Sequence, residues 1–353
     1  MKVFCTGATG FVGAHSALAL LAAGHELRLL VRDEHAARAW FEAHERPIQR
    51  CVTADIRDSA ALAHAMAGCD AVLHAAAAVS VNPRRAREMY DTNVGGTTAV
   101  LGAASEAGIR NIVYVSSVMV YFHPGAPRVD EYTALADVSD PYTRSKRDSE
   151  IFARDLQRRG APVQITYPTA VIGPDDPKLS AANRALANCI ATALPRSSGG
   201  FQCVDVRDLA DAHVWLLEHP RVADFEGGRY IVGGQFYPWD DLRHRLEAIL
   251  GKRVFSPRVP PRLLRGMGAV ADAVKQLVPF DTQLSAEAMA ISTQWPPADS
   301  SRFLATSGFR FRGADETFTD TIRWMLEAGH VPAKKAGRLA APTLSVSERP
   351  SAP

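Results

Sequence analysis

The chain has 353 residues, 47% of them hydrophobic, enough to bury a large core as one α/β domain with an added lobe or as two smaller domains. Its 40 basic and 38 acidic residues leave a formal net charge of +2 with no Lys/Arg stripe, which argues against nucleic acid as a partner. Five cysteines (Cys5, Cys51, Cys69, Cys189 and Cys203) and 11 histidines show no metal-ligand spacing, so no metal site and a reducing, cytoplasmic setting are expected.

From the amino end, short β-branched runs alternate with helical patterns, the mark of βαβ units and a parallel, doubly wound sheet. Strands are predicted at Lys2–Thr6, Glu26–Val31, Gln49–Thr53, Ala71–His74, Asn111–Ser116 and Val163–Tyr167. Helices fall between them at Phe11–Ala23, around Glu34–His44, and near Asp58–Met66, Arg84–Ala107 and Tyr142–Arg159. Asp140 is the expected N-cap of the last of these, with Pro141 at the first helical position.

After Tyr167 the rhythm breaks. Pro168, Gly173, Pro174 and Pro177 mark a loop, followed by helices at Ala181–Ala193 and Asp205–Glu218 and a strand at Arg229–Val232. Residues 1–167, with 202–232 returning, are read as a dinucleotide-binding domain of Rossmann type, and 168–201 with 233–332 as a smaller, mostly helical substrate lobe. The Ala/Pro/Ser-rich stretch 333–353 is read as a disordered tail. Met1 leads straight into a strand without a secretory leader, and no apolar run approaches the roughly 18 to 20 residues that span a bilayer. Leu263–Val278 is amphipathic and is read as a lobe helix packing its apolar side inward, with a membrane-surface role as the alternative. Met119, Met267, Phe280 and Trp295 are candidates for an apolar pocket or for core.

Thr6-Gly7-Ala8-Thr9-Gly10-Phe11-Val12-Gly13 sits where the first strand turns into the first helix. Gly7 permits the tight turn, Gly10 a close approach of backbone to pyrophosphate, and Gly13 close packing of helix on strand. The free N–H groups and dipole of the helix start favour the phosphate anion. At the end of the second strand Val31 is followed by Arg32 and Asp33. A guanidinium there pairs with a 2′-phosphate, which points to NADP, whereas a shift in register would present Asp33 and suit NAD.

Tyr142 and Lys146 are one helical turn apart and share a face. An ordinary phenol titrates near 10, and a neighbouring ammonium lowers that value, so Tyr142 is a candidate proton donor to a carbonyl as hydride arrives. Ser117, at a strand end, would steady the reacting oxygen, and Lys146 the nicotinamide ribose.

On these residues the chain resembles the extended short-chain dehydrogenase/reductases, the NAD-dependent epimerase/dehydratase group. Asp55-Ile56, Asn93-Val94-Gly95-Gly96-Thr97, Ser116-Ser117, Tyr142-Thr143-Arg144-Ser145-Lys146 and Tyr167-Pro168-Thr169 carry the likeness, which spans about Met1 to Val331. The resemblance implies that Asp55 and Ile56 meet adenine, Ala75, Ala76 and Ala77 line the cofactor, and Asn93 sits near the active site. It also implies that Pro168 and Thr169 follow the nicotinamide, and that Ser117 rather than Ser116 is catalytic. Val31-Arg32-Asp33 and Tyr167 are similar to dihydroflavonol reductases and 3β-hydroxysteroid dehydrogenases, so a reductase of a small, apolar carbonyl compound is expected, as monomer or homodimer. A nucleotide-sugar epimerase or dehydratase with bound NAD is the alternative, with Arg196 as a possible diphosphate ligand. A non-enzymatic nucleotide sensor is a third reading, against which the Tyr/Lys pair stands.

Overall fold

The computed structural model describes all residues except Gln49, 80–84, 138–139, 221–226, 278–284 and 341–353, and leaves the side chains of 275–277 undescribed. The first half is built from β1 (Lys2–Thr6), α1 (Phe11–Ala22), β2 (Glu26–Val31), α2 (Glu34–Ala43), β3 (Arg50–Thr53), α3 (Ser59–Met66) and β4 (Ala71–His74). There follow α4 (Ala86–Tyr90), a π-helical turn at Asp91–Gly95, α5 (Gly96–Glu106), β5 (Asn111–Val115), α6 (Pro141–Arg158) and β6 (Val163–Pro168). The helix expected as one piece from Arg84 to Ala107 is thus interrupted by a turn that carries Asn93. Arg84 itself lies outside the described residues.

The remainder comprises β7 (Ala170–Ile172), α7 (Ala181–Ala191), β8 (Gly200–Asp205), α8 (Val206–Glu218), β9 (Arg229–Val232) and β10 (Gln235–Pro238). Then come α9 (Trp239–Leu250), α10 (Pro261–Leu277), α11 (Ala286–Gln294), α12 (Ser301–Ser307), α13 (Ala314–Glu327) and α14 (Ala333–Ala336).

Seven parallel strands run in the order β3-β2-β1-β4-β5-β6-β9. Strand residues alternate between two cores: Val3 and Cys5 pack with α1, α2 and α8, while Phe4 packs with α3, α5 and α6. A third core joins α7, α9 and α13 to a small sheet, β10-β8-β7. Two expectations about boundaries change. β8 belongs to the small sheet, so of 202–232 it is α8 and β9 that return to the main one, with Val204 of β8 reaching its core. Ala333–Ala336 is helical and Ala336 fully buried, where composition suggested disorder, because the stretch docks on Leu250 of the lobe core. Residues 341–353 lie outside the described chain. β7 was missed because three residues are too short to show alternation.

Candidate active site

Three strand ends meet at the carboxyl edge, with Thr6 beside His74 and His74 beside Tyr114 in register. His74 is buried; its Nδ1 lies 2.8 Å from Thr6 Oγ1 and its Nε2 3.0 Å from Thr97 Oγ1. Burial, and secondarily the charge on Lys146, lowers its pKa to about 3, so the ring is neutral and locks the residue before Gly7.

Gly7 has φ +79°, and a Cβ there would stand 2.6 Å from Ala75 C and Ala76 N. A Cβ on Gly13 would stand 2.2 Å from Gly7 O, so turn and helix close on each other. Gly10, by contrast, would meet only Gly7 O, at 3.3 Å. It begins α1 with no side-chain cap and no acidic residue in the first turn, leaving the first N–H groups, including those of Phe11 and Val12, to an anion. Thr9 is half-buried beside it, and Phe11 packs edge-on to His15. Ala75 and Ala76 donate to Thr6 O and Thr6 Oγ1 at 3.3 and 3.4 Å, and Ala77 is exposed next to them. This cradle fits a dinucleotide.

Arg32 is exposed at the end of β2. Asp33 is spent on α2, its carboxylate accepting from Ala36 N at 2.9 Å as the N-cap. Asp55 is chelated by Arg57 at 2.9 and 2.7 Å, which holds its carboxyl down at about 2. The neighbouring Ile56 packs on Gly96, where a Cβ would come within 2.9 Å.

α6 starts at Asp140, whose Oδ2 accepts from Thr143 N at 2.7 Å and Thr143 Oγ1 at 2.9 Å. Tyr142 stands half-buried in that first turn. Burial, then the Asp140 carboxylate, pushes its phenol up to about 12, opposite to the lowering expected from its lysine neighbour. In the protein's own surroundings both of these influences, burial and the carboxylate, disfavour the phenolate. Lys146 is 5% exposed and donates to Val115 O at 3.0 Å. Burial lowers it to about 8, opposed by the Glu150 carboxylate.

Ser117 is half-buried and its Oγ accepts from Met119 N at 3.3 Å, which leaves its own proton to donate. Ser116 is buried and its Oγ has no hydrogen-bond partner among the described residues. Asn93 clamps Ala78 by both backbone groups, at 2.7 and 3.0 Å, and donates to Ser145 Oγ at 2.9 Å. Ser145 in turn donates to Tyr142 O at 2.7 Å. Asn93 therefore ties the segment after β4 to the first turn of α6, with every polar group of its side chain used.

Pro168 is buried, and Thr169 Oγ1 donates to Gly233 O at 2.7 Å. Tyr167 is fully buried and its hydroxyl donates to Glu150, which also receives Arg154 Nε at 2.7 Å. Glu150, one turn past Lys146, was legible from spacing but not singled out. Glu287 of α11, which hydrogen-bonds Asp140 and Thr143, carried no sequence signal. Burial and the Asp140 charge push Glu287 up to about 7. Of the pocket candidates, Met119 and Trp295 are half-buried, Met267 is 44% exposed, and Phe280 lies outside the described residues. Among the described residues no group of His, Cys, Asp or Glu could hold a metal, and no helix is long and apolar enough to cross a membrane.

The NAD dependent epimerase/dehydratase family matches residues 3–233. The chain belongs to this family. Its fold is that of the extended short-chain dehydrogenase/reductases, whose members are NAD(P)-dependent reductases and epimerases of small substrates. It is 27% identical over 337 residues to the sterol demethylase protein B of Methylococcus capsulatus, covering 94% of this chain and 100% of that one. It is 28% identical over 332 residues to a Synechocystis protein provisionally named dihydroflavonol 4-reductase, covering 93% of this chain and 95% of that one. The crystal structure of gox2253 superposes with a TM-score of 0.77 at 28% identity, covering 94% of this chain and 99% of the other.

Proposed function

We propose that the chain transfers hydride between NADP(H) and the carbonyl or secondary alcohol of a small, apolar substrate, with Tyr142 as general acid and base. The observation that carries this is Lys146, 5% exposed and hydrogen-bonded to the end of β5, one helical turn from the half-buried Tyr142. When bound, the nicotinamide supplies or accepts the hydride. Ser117 donates to the substrate oxygen, and Tyr142, with its phenol pushed up to about 12, is protonated at neutral pH and gives its proton to the developing alkoxide. The cation of Lys146 then stabilises the phenolate left behind. Asn93, through Ser145, keeps the first turn of α6 in place.

NADP is favoured over NAD because Asp33, the carboxylate that would suit a ribose diol, is engaged as a helix cap while Arg32 is exposed. Three observations support an apolar substrate over a nucleotide sugar. Val118 and Met119 follow Ser117. Arg196 is held by Ser256 O at 3.2 and 3.1 Å and by Asp240, and so is not free for a diphosphate. Just before Val204-Asp205, where the resemblance to nucleotide-sugar enzymes calls for a diphosphate-binding arginine, the chain has Gln202, whose amide is bound to Ala298 and Trp295. The names of the sterol and dihydroflavonol relatives agree with this direction. The test is turnover by purified protein with NADPH or NADH against a panel of apolar ketones and UDP-sugars. NADPH consumption with a ketone and none with UDP-sugars is expected; NAD co-purifying with the protein together with UDP-sugar epimerisation would overturn the proposal.

A further inference from the structure

We propose that the outer face of α10 docks on an anionic membrane surface. Leu263, Met267, Val270 and Val274 recur at helical spacing and are 55%, 44%, 64% and 39% exposed, and Phe255, just before the helix, is 71% exposed. The other exposed positions between them, Gly266, Ala269 and Ala273, are small and uncharged. The inner face is packed: Leu264, Gly268 and Ala271 are buried, and a Cβ on Gly268 would stand 2.4 Å from Ser285 O of the neighbouring turn. The helix's half-buried charges face that side too, with Arg265 donating to Thr293 Oγ1 at 3.3 Å and Asp272 accepting from Ala286 N at 2.8 Å. The polarity is the reverse of a helix that faces water.

Charge selects the occupant. From Gly251 to Val274 the sequence holds Lys252, Arg253, Arg258, Arg262 and Arg265 against the single acid Asp272. Arg253, Arg258 and Arg262 are exposed at the amino end of the stripe. An apolar stripe flanked by cations at its amino end suits the boundary of anionic lipid headgroups and acyl chains, whereas a second copy in two-fold contact at that end would bring like charges together. α11 packs on α10, and its Glu287 bonds the cap of α6, so docking holds the candidate active site at the lipid surface. That last step rests on the apolar substrate proposed above; the docking itself does not.

The full chain is floated with vesicles of phosphatidylcholine alone or mixed with phosphatidylglycerol. Binding to the mixed vesicles is expected to be on the order of 10²-fold tighter at low salt, for three surface cations. Val270→Glu, or Leu263→Gln if that variant does not fold, should weaken it by roughly tenfold or more, with turnover of a water-soluble ketone unchanged. No binding to either vesicle, or binding that both variants retain, overturns the proposal. So does a wild-type dimer that Val270→Glu makes monomeric, or a lower melting temperature in both variants, since the face is then covered by a second copy or by this chain. Failure of every ketone in wild type would remove the proposed reaction and leave the docking intact.

Discussion

Two helices begin at the carboxyl edge of the sheet, and they begin in opposite ways. α1 starts at Gly10 with no cap, its first N–H groups turned toward an open cradle. α6 starts at Asp140, whose carboxylate already accepts from Thr143 N. A helix start is a site of positive potential in both cases. Left bare it receives an anion from outside; filled from within, it becomes a stiff pedestal for the side chain in its first turn. In the reaction proposed above, the bare end would serve the cofactor and the filled one holds Tyr142.

The sharpest way to separate the two is to alter each alone. Tyr142→Phe should lower turnover by about 10² to 10⁴, the usual contribution of a general acid, while the affinity for NADPH, read by fluorescence titration, stays as in wild type. An unchanged rate would end the assignment. Gly10→Asp gives α1 the same cap that α6 has. The backbone there is at φ −102°, open to any residue. We expect cofactor affinity to fall on the order of 10²-fold, because the cap fills the N–H groups and repels the pyrophosphate. The melting temperature of the free protein should not fall; if affinity survives, the phosphates lie elsewhere. Arg32→Glu should move the ratio of NADPH to NADH affinity by roughly tenfold or more toward NADH. A ratio that does not move would remove Arg32 from the cofactor site.

How much of this contrast was legible beforehand follows from where the information lies. The glycine turn is written in backbone constraints within one segment, so Gly7, Gly10 and Gly13 announce it. Tyr142, Lys146 and the Asp140 cap are likewise local, fixed by helical spacing. The π turn at Asn93 was not legible, because it depends on an extra residue accommodated against Ile56 and α6. Ser145 as the link from Asn93 to Tyr142, and Glu287 reaching Asp140 from a helix 147 positions away, come from tertiary packing alone. The outward apolar face of α10 was read inward, since amphipathicity gives a stripe but not the direction it faces.

The pedestal can be probed with smaller effects. Asp140→Ala removes the cap and should cost about 1 kcal/mol of stability by denaturant titration, whereas Asp140→Asn keeps the cap and should cost little. Both remove the carboxylate that raises Tyr142, so the pKa seen in the pH profile of alcohol oxidation should move down in either variant. A profile shift in Ala but not in Asn would trace the effect to helix fraying rather than charge.

The smallest effect belongs to Glu287, which packs its carboxyl on the Asp140 and Thr143 end of α6 with Asp272 nearby. Its pKa is raised from 4.5 to about 7, by burial first and by Asp140 second. The folded chain therefore holds a proton there that the unfolded chain has already released between those values. Stability from this group is full below pH 4.5 and declines as pH rises through 7. Glu287→Gln keeps a donor for Asp140 and cannot ionise, so its stability should be flat across that window and should exceed wild type above it. Water screening at this half-exposed position keeps the gain under about 1 kcal/mol. Melting curves of both proteins at pH 5 and pH 8 measure it: a gap that opens at pH 8 fits a proton held between the lobe and the start of α6, and an equal gap at both values removes Glu287 from that junction.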